Sequence, residues 1–137
     1  MRYLAIDYGT RRMGIAVSDE LKLIAQPLEY IPSEPASRFF ERLQEIIADK
    51  TVERILVGMP RNMDGTYGPA AQRVQEFIQA LSRIITIPIQ AVDERLTTVQ
   101  ANRVLVEGGV RRADRKKKVD QMAAALLLQG YLDARSA

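Results

Sequence analysis

The sequence predicts an α/β fold in which three antiparallel strands precede alternating helices and strands. Tyr3–Ile6 and Ile15–Val17 are short apolar segments bounded by turn residues, a pattern typical of strands joined in a hairpin, and a third strand is predicted to follow them. From residue 35 onward, segments with helical periodicity alternate with short apolar segments, and this alternation favours right-handed parallel crossovers. The chain has 137 residues, so we expect one domain over residues 1–137 with a core that needs no disulfide or metal.

Each element is predicted from its own apolar spacing. The antiparallel part consists of strands at Tyr3–Asp7, Gly14–Ser18 and Ile24–Tyr30. The alternating part consists, in order, of a helix over Pro35–Ala48, a strand over Arg54–Gly58, a helix over Pro69–Ile84, a strand over Ile87–Val92 and a helix over Thr97–Glu107.

A last helix is predicted over Lys117–Arg135. It is apolar on nearly every side between Met122 and Leu128. A helix with this pattern is usually buried, so we expect it to pack on the sheet.

Cysteine and histidine are both absent, and their absence restricts the chemistry. The chain has no cysteine, which excludes disulfides, thiolate catalysis and zinc ribbons. It also has no histidine, which excludes serine–histidine catalysis and imidazole metal sites. An enzyme of this composition must use carboxylates, lysines, hydroxyls or oxygen-bound metals, and the metals that suit oxygen ligands are Mg²⁺ or Mn²⁺.

The positive charge is unevenly distributed. The net charge is only +3, but six cations fall within residues 111–118, namely Arg111, Arg112, Arg115, Lys116, Lys117 and Lys118. Such a cluster suits a polyanion, and its alternative interpretation is a solvated loop. The N-terminus has no signal-peptide pattern and no apolar segment reaches membrane-spanning length, so we expect a cytoplasmic protein without a membrane partner.

Asp7 is the first candidate site residue. It ends a predicted apolar strand and precedes the glycine-framed basic turn Gly9–Gly14. A carboxylate buried at this point needs compensation from donors or from a cation. The alternative is that Asp7 only caps its own turn with a side-chain hydrogen bond.

Further carboxylates are predicted near the same edge of the sheet. Asp93 and Glu94 follow a predicted strand, and Asp120 falls in the first turn of the predicted last helix. Each has a structural alternative, because Asp93 or Glu94 could bond loop amides and Asp120 could complement the helix dipole. Sites in α/β sheets form outside the carboxyl ends of parallel strands. Together with Asp7, carboxylates from a second strand end and from the last helix could meet there with oxygens spaced for two hard cations about 4 Å apart.

The chain resembles the YqgF/RuvX-like proteins, which are related to the RuvC Holliday-junction resolvases. Four ordered motifs carry the resemblance: D-Y-G-T-R-R-M-G-I-A-V-S-D from Asp7, V-G-M-P-R-N-M-D-G-T-Y-G from Val57, D-E-R-L-T-T-V-Q-A from Asp93 and D-Q-M-A-A-A-L-L-L-Q-G-Y-L-D from Asp120. It implies a ribonuclease H-like fold, with a five-stranded mixed sheet flanked by helices. It also implies a nuclease, proposed for bacterial members to trim the precursor of 16S ribosomal RNA.

The resemblance also implies an acidic triad, which falls on Asp7, Glu94 and Asp120. These residues would be the metal ligands and the catalytic residues. The resolvase relatives place their second acid at the end of the fourth strand, but here that strand ends in Gly58-Met59-Pro60. The second ligand must therefore be Asp93 or Glu94, and the sequence leaves that choice open.

Basic residues near the same edge are predicted to bind nucleic acid. Arg11, Arg12 and Arg61 lie on glycine-rich turns and can pair with phosphates bidentately. Lys116, Lys117 and Lys118 lead into the helix that carries Asp120, so we expect them to approach phosphates flanking the scissile one.

Three alternative functions stay open at this point. A D-x-G-T turn also holds nucleotide phosphates in sugar kinases, actin and Hsp70 ATPases, although those proteins close two such domains around the nucleotide. A non-catalytic RNA-binding ribosome-assembly protein could retain the acids structurally. A Holliday-junction resolvase would act on DNA instead of precursor rRNA, and the sequence does not distinguish endonuclease from exonuclease.

Overall fold

The computed structural model describes residues 1–60, 66–93 and 112–136, with the side chains of residues 112–121 and 136 outside that description. Its strands are β1 (Arg2–Asp7), β2 (Arg12–Ser18), β3 (Ala25–Pro32), β4 (Val52–Met59) and β5 (Ile89–Asp93). Its helices are α1 (Ala36–Lys50), α2 (Pro69–Ile84) and α3 (Arg112–Ser136).

The strands form a five-stranded mixed sheet in the order β3-β2-β1-β4-β5. Strand β2 pairs antiparallel with both β1 and β3. Strand β4 pairs parallel with both β1 and β5. The predicted antiparallel start and parallel crossover are therefore confirmed, and β1 occupies the centre of the sheet.

Each face of the sheet buries its own apolar core. Leu4 and Ile6 of β1 pack with Phe39 of α1 and Phe77 of α2 on one face. Tyr3 and Ala5 of β1, which alternate with them, lie on the other face with α3 residues such as Leu128. Because successive residues of a strand point to opposite faces, this alternation identifies the face of every position in β1.

The edge strand β3 is attached to α1 by an arginine–carboxylate pair. Arg42 Nη2 lies 2.6 Å from Glu29 Oε1, and Arg42 Nε donates to Glu29 Oε2 over 3.0 Å. The hydrogen bonds from Arg42 lower the pKa of the Glu29 carboxyl below its ordinary value. This pair holds the part of β3 that carries the next residue, Tyr30.

The final helix differs from its prediction at its start. Helix α3 begins at Arg112 and not at Lys117, so residues 112–118 of the basic cluster are helical and their interpretation as a loop is wrong. Asp120 consequently lies about two turns into the helix, and the prediction that it occupies the first turn is also wrong. Burial of this helix is confirmed, because Ala124, Leu127 and Leu128 are almost completely buried.

The other boundaries agree with the sequence to within two residues at most positions. The helix predicted over Thr97–Glu107 lies outside the described residues. Within the described residues, no helix combines the length and the apolar character needed to cross a membrane.

Candidate active site

Asp7 is the last residue of the central strand β1 and is half-buried. Its strand partner is Gly14 of β2. By the alternation along β1, Asp7 shares the face of Tyr3 and Ala5, which is covered by α3. The sheet therefore presents this carboxylate beside α3 at the carboxyl end of its central strand.

Gly14 makes room for Asp7, Tyr30 and α3 to meet. A Cβ atom at residue 14 would lie 3.5 Å from Asp7 Cβ, 3.3 Å from Tyr30 Cε1 and 3.8 Å from Ala124 Cβ. A recess of about 330 Å³ opens here, with Gly14, Tyr30 and Ala124 in its lining. Asp7 does not line this recess but adjoins it through Gly14, its strand partner.

Helix α3 places Asp120 by its register. Position 120 precedes Ala124 by four residues, which is about one turn, so both positions share one side of the helix. Ala124 lies within reach of Gly14, next to Asp7. The backbone of Asp120 therefore belongs to the turn of α3 that precedes this contact, and its side chain lies outside the description.

Asp93 ends β5 on the same edge but on the opposite face. Its strand partner is Met59 of β4, which packs in the core under α1 and α2. The preceding residue, Val92, packs against the core under α3. Alternation along β5 therefore separates Asp93 from Asp7 by the thickness of the sheet. Glu94 lies outside the described residues.

Arg11 lies on the turn after β1 and Arg12 is the first residue of β2, and both are exposed. The guanidinium carbon of Arg12 lies 4.2 Å from the centre of the Tyr30 ring, a cation–π arrangement. Arg11 contributes its backbone oxygen, which accepts a hydrogen bond of 2.9 Å from the Ser33 amide. The guanidinium group of Arg12 is thus held over the Tyr30 ring, which lines the recess beside Gly14.

Two residues of this site, Tyr30 and Ser33, were missed by the sequence interpretation. Ser33 Oγ donates a 2.7 Å hydrogen bond to the backbone oxygen of Gly9, so Ser33 ties down the turn that follows Asp7. Tyr30 reaches the site because it pairs with Gly14 across β2 and β3. The exposed aromatic at the end of a predicted strand was the available signal for Tyr30, and no sequence pattern marked Ser33.

The side chains of the other predicted site residues do not belong to the described part of the chain. Arg61 falls outside the described residues, and Lys116, Lys117 and Lys118 lie on the helical backbone of α3 without described side chains. Among the described side chains, no three acidic groups converge in a way that could hold a metal ion. The side chains of two of the three predicted ligands, Glu94 and Asp120, are not among the described ones, so that finding does not include them.

Two solved structures superpose on nearly the whole of this chain. The structure of Thermus thermophilus RuvC in complex with a Holliday junction substrate superposes with a TM-score of 0.59 at 22% identity, covering 100% of this chain and 96% of that one. The fowlpox virus Holliday junction resolvase superposes with a TM-score of 0.55 at 11% identity, covering 98% and 99%. The fold is ribonuclease H-like, and in this chain Asp7 ends the central strand.

The sequence itself then identifies the family. The family model RuvX, described as Holliday junction resolvase, matches residues 1–134, and the chain belongs to that family. A "Putative pre-16S rRNA nuclease" of Symbiobacterium thermophilum is 50% identical over 137 residues, covering 100% of this chain and 95% of that relative. One of the same name from Bacillus subtilis is 43% identical, covering 98% and 99%. Membership favours the nuclease interpretation of D-Y-G-T over the ATPase one.

Proposed function

We propose that this protein is a metal-dependent nuclease that hydrolyses phosphodiester bonds in structured nucleic acid, at the 5′ end of precursor 16S rRNA. The observation that carries the proposal is the position of Asp7, at the carboxyl end of the central strand and against α3. The substrate follows from the name that the full-length relatives share. Work on precursor rRNA would take place in the cytoplasm.

Asp7, Glu94 and Asp120 are the proposed metal ligands and catalytic residues. The register of α3 supports Asp120, because it puts position 120 one turn from the helix contact with Gly14. For the second ligand, the alternation of β5 argues against Asp93, which lies on the face covered by α1 and α2. Glu94 is accordingly the proposed second ligand.

The proposed cofactor is Mg²⁺ or Mn²⁺, because the candidate ligands are all carboxylates and carboxylate oxygens suit hard cations. Such a cation supplies Lewis-acid chemistry, which lets water attack near neutral pH and offsets charge on the scissile phosphate. The carboxylates orient this chemistry at the sheet edge. Arg11 and Arg12 would hold neighbouring phosphates, with Arg12 positioned by its contact with Tyr30.

Metal dependence provides the direct test. We expect hydrolysis of a precursor 16S rRNA fragment to disappear with chelator and to return with Mg²⁺ or Mn²⁺. The rate should rise with pH. No part of the pH–rate profile should come from the ionisation of a histidine, because the chain has none. Binding to the native state alone should also raise the melting temperature, since a ligand at 100 times its Kd contributes about 2.7 kcal/mol.

Calcium is the matched control for this experiment. It should raise the melting temperature but support little turnover, because its looser coordination positions groups poorly. Asp7→Asn should blunt the rise in melting temperature with every cation. Hydrolysis that continues undiminished in chelator contradicts the proposal.

The helical basic segment gives a second test. Replacing Lys116, Lys117 and Lys118 with alanine should weaken binding and flatten its salt dependence, by about 0.7–0.9 units of log–log slope per lost phosphate contact. Turnover at saturating substrate should change little. The matched control is the triple lysine-to-arginine variant, which keeps the charge and should keep the slope. If the alanine variant binds with wild-type affinity at low salt, these lysines are solvated and make no contact with the nucleic acid.

A DNA junction is the second candidate substrate, because the family description names Holliday junction resolvases. Parallel assays on the rRNA fragment and on a four-way DNA junction separate the two, and the products show whether cleavage is internal or from an end. A wild-type protein that binds RNA but cuts neither substrate under any divalent cation would favour a non-catalytic assembly protein.

A further inference from the structure

A groove runs from the site edge across the face opposite Asp7, between α1 and α2. Its outer hollow, of about 170 Å³, reaches Gly58 at the end of β4 and Ala70 at the start of α2. Its inner hollow, of about 450 Å³, is the larger of the two. Tyr8, Thr10 and Arg73 line both hollows, so the two adjoin. Because Tyr8 directly follows Asp7, the groove begins at the same edge of the sheet as the candidate active site, on the opposite face.

The inner hollow is lined by aromatic rings. Tyr8 and Phe77 have ring centres 5.2 Å apart, and Phe39 and Phe40 have ring centres 5.6 Å apart. Phe39 and Phe77 are buried in the core, whereas Tyr8 and Phe40 keep part of their surface exposed. Half-exposed rings supported by buried rings form a rigid platform on which a planar group can stack.

Positive and negative side chains line different parts of the groove. Arg73 stands where the hollows adjoin, near the first turn of α2, whose N-cap Gly68 supplies no capping side chain. Glu34 and Glu76 line only the inner hollow. Among the ion pairs of the described residues, none involves Arg73, Glu34 or Glu76.

These charges select the orientation of the occupant. An anionic phosphate is attracted by Arg73 and by the positive end of α2, and it is repelled by the two carboxylates deeper in the groove. A nucleobase is favoured in the inner hollow, where a phosphate is repelled. Its amino and imino groups donate hydrogen bonds that carboxylates accept, and its flat face can stack on Tyr8 or Phe40.

We propose that this groove binds one nucleotide of the substrate strand, with its base in the aromatic hollow and its phosphate beside Arg73. That this nucleotide belongs to a nucleic-acid strand rests on the proposed function. The groove would hold an unpaired nucleotide outside the scissile phosphate, which selects single-stranded or splayed segments next to the cleavage position.

The test is a binding measurement without cleavage. Wild-type protein in chelator is titrated into single-stranded RNA that carries 2-aminopurine, whose fluorescence is quenched when the base stacks. We expect quenching, and we expect AMP to reverse it where inorganic phosphate does not. Reversal by phosphate as effective as reversal by AMP overturns the base pocket.

Two variants address the two ends of the groove. Arg73→Ala should weaken binding about tenfold, and Phe40→Leu, which keeps an apolar side chain but no ring, should reduce both quenching and affinity by a similar factor. Arg83→Ala is the matched control, because Arg83 is exposed in the last turn of the same helix. It should bind as wild type does.

The outcomes separate this proposal from the proposed function. Wild-type quenching and affinity in folded Arg73→Ala and Phe40→Leu proteins overturn the groove, even if the wild type cuts RNA. Quenching that depends on both residues supports the groove, even if no nucleic acid is cut.

Discussion

Asp7→Asn is expected to lose hydrolysis of nucleic acid while remaining folded and able to bind its substrate. Asparagine has nearly the same shape as aspartate, so the half-buried position beside Gly14 is filled as before. The change removes the negative charge that a cation needs. Altering groups behind metal ligands costs about 10–100-fold in activity, and loss of a direct ligand should cost more.

The measurement compares cleavage, binding and melting temperature of the same preparation. Glu94→Gln and Asp120→Asn should behave like Asp7→Asn. Asp93→Asn is the matched control, since Asp93 lies on the other face of the sheet, and it should retain activity. Cleavage that persists in Asp7→Asn at the wild-type rate would sink the enzymatic proposal, and loss of activity through unfolding would make Asp7 structural.

Gly9→Ala is expected to damage both stability and activity. A Cβ atom at residue 9 would lie 2.2 Å from the backbone oxygen of Arg12, which is a direct collision with the main chain. The turn cannot yield freely, because Ser33 bonds the backbone oxygens of both Gly9 and Arg11. Forcing extra volume into a packed site costs about 1–3 kcal/mol, and here the displaced backbone also carries Arg12.

Gly130→Ala is the matched glycine control. Residue 130 lies inside α3, and a Cβ atom there would meet nothing within 4 Å. Alanine in a helix interior is favoured over glycine by roughly 0.5–1 kcal/mol, so this variant should melt higher than the wild type. Thermal unfolding of the two variants in parallel measures both effects, and a Gly9→Ala protein as stable and as active as wild type contradicts the collision.

Strands β1, β2 and β4 were predictable because each carries a continuous apolar segment that ends near a turn residue. The start of α3 was not, because residues 112–118 are almost all charged and have no apolar period. Arginine and lysine are nevertheless good helix formers, and this propensity extends the helix beyond its buried part.

The site was partly predictable for a similar reason. Asp7 stands out because a charge ends an apolar strand. The separation of Asp93 from Asp7 could not have been predicted from β5 alone, because it depends on the pairing of Asp93 with Met59 of β4. Tyr30 and Ser33 could not, because they approach the site through the pairing of β2 with β3 and through a hydrogen bond to the Gly9 turn, which are tertiary contacts.

The position of α3 in the chain bears on how the protein is made. This helix is translated after all five strands, yet it packs on the face of the sheet that carries Tyr3, Ala5 and Leu56. A nascent chain that has already assembled its strands must leave Tyr3, Ala5 and Leu56 uncovered until α3 leaves the ribosome. Since Asp120 arrives on the same helix, the nuclease that we propose would stay inactive throughout its own synthesis, next to the ribosomal RNA of the machine that makes it.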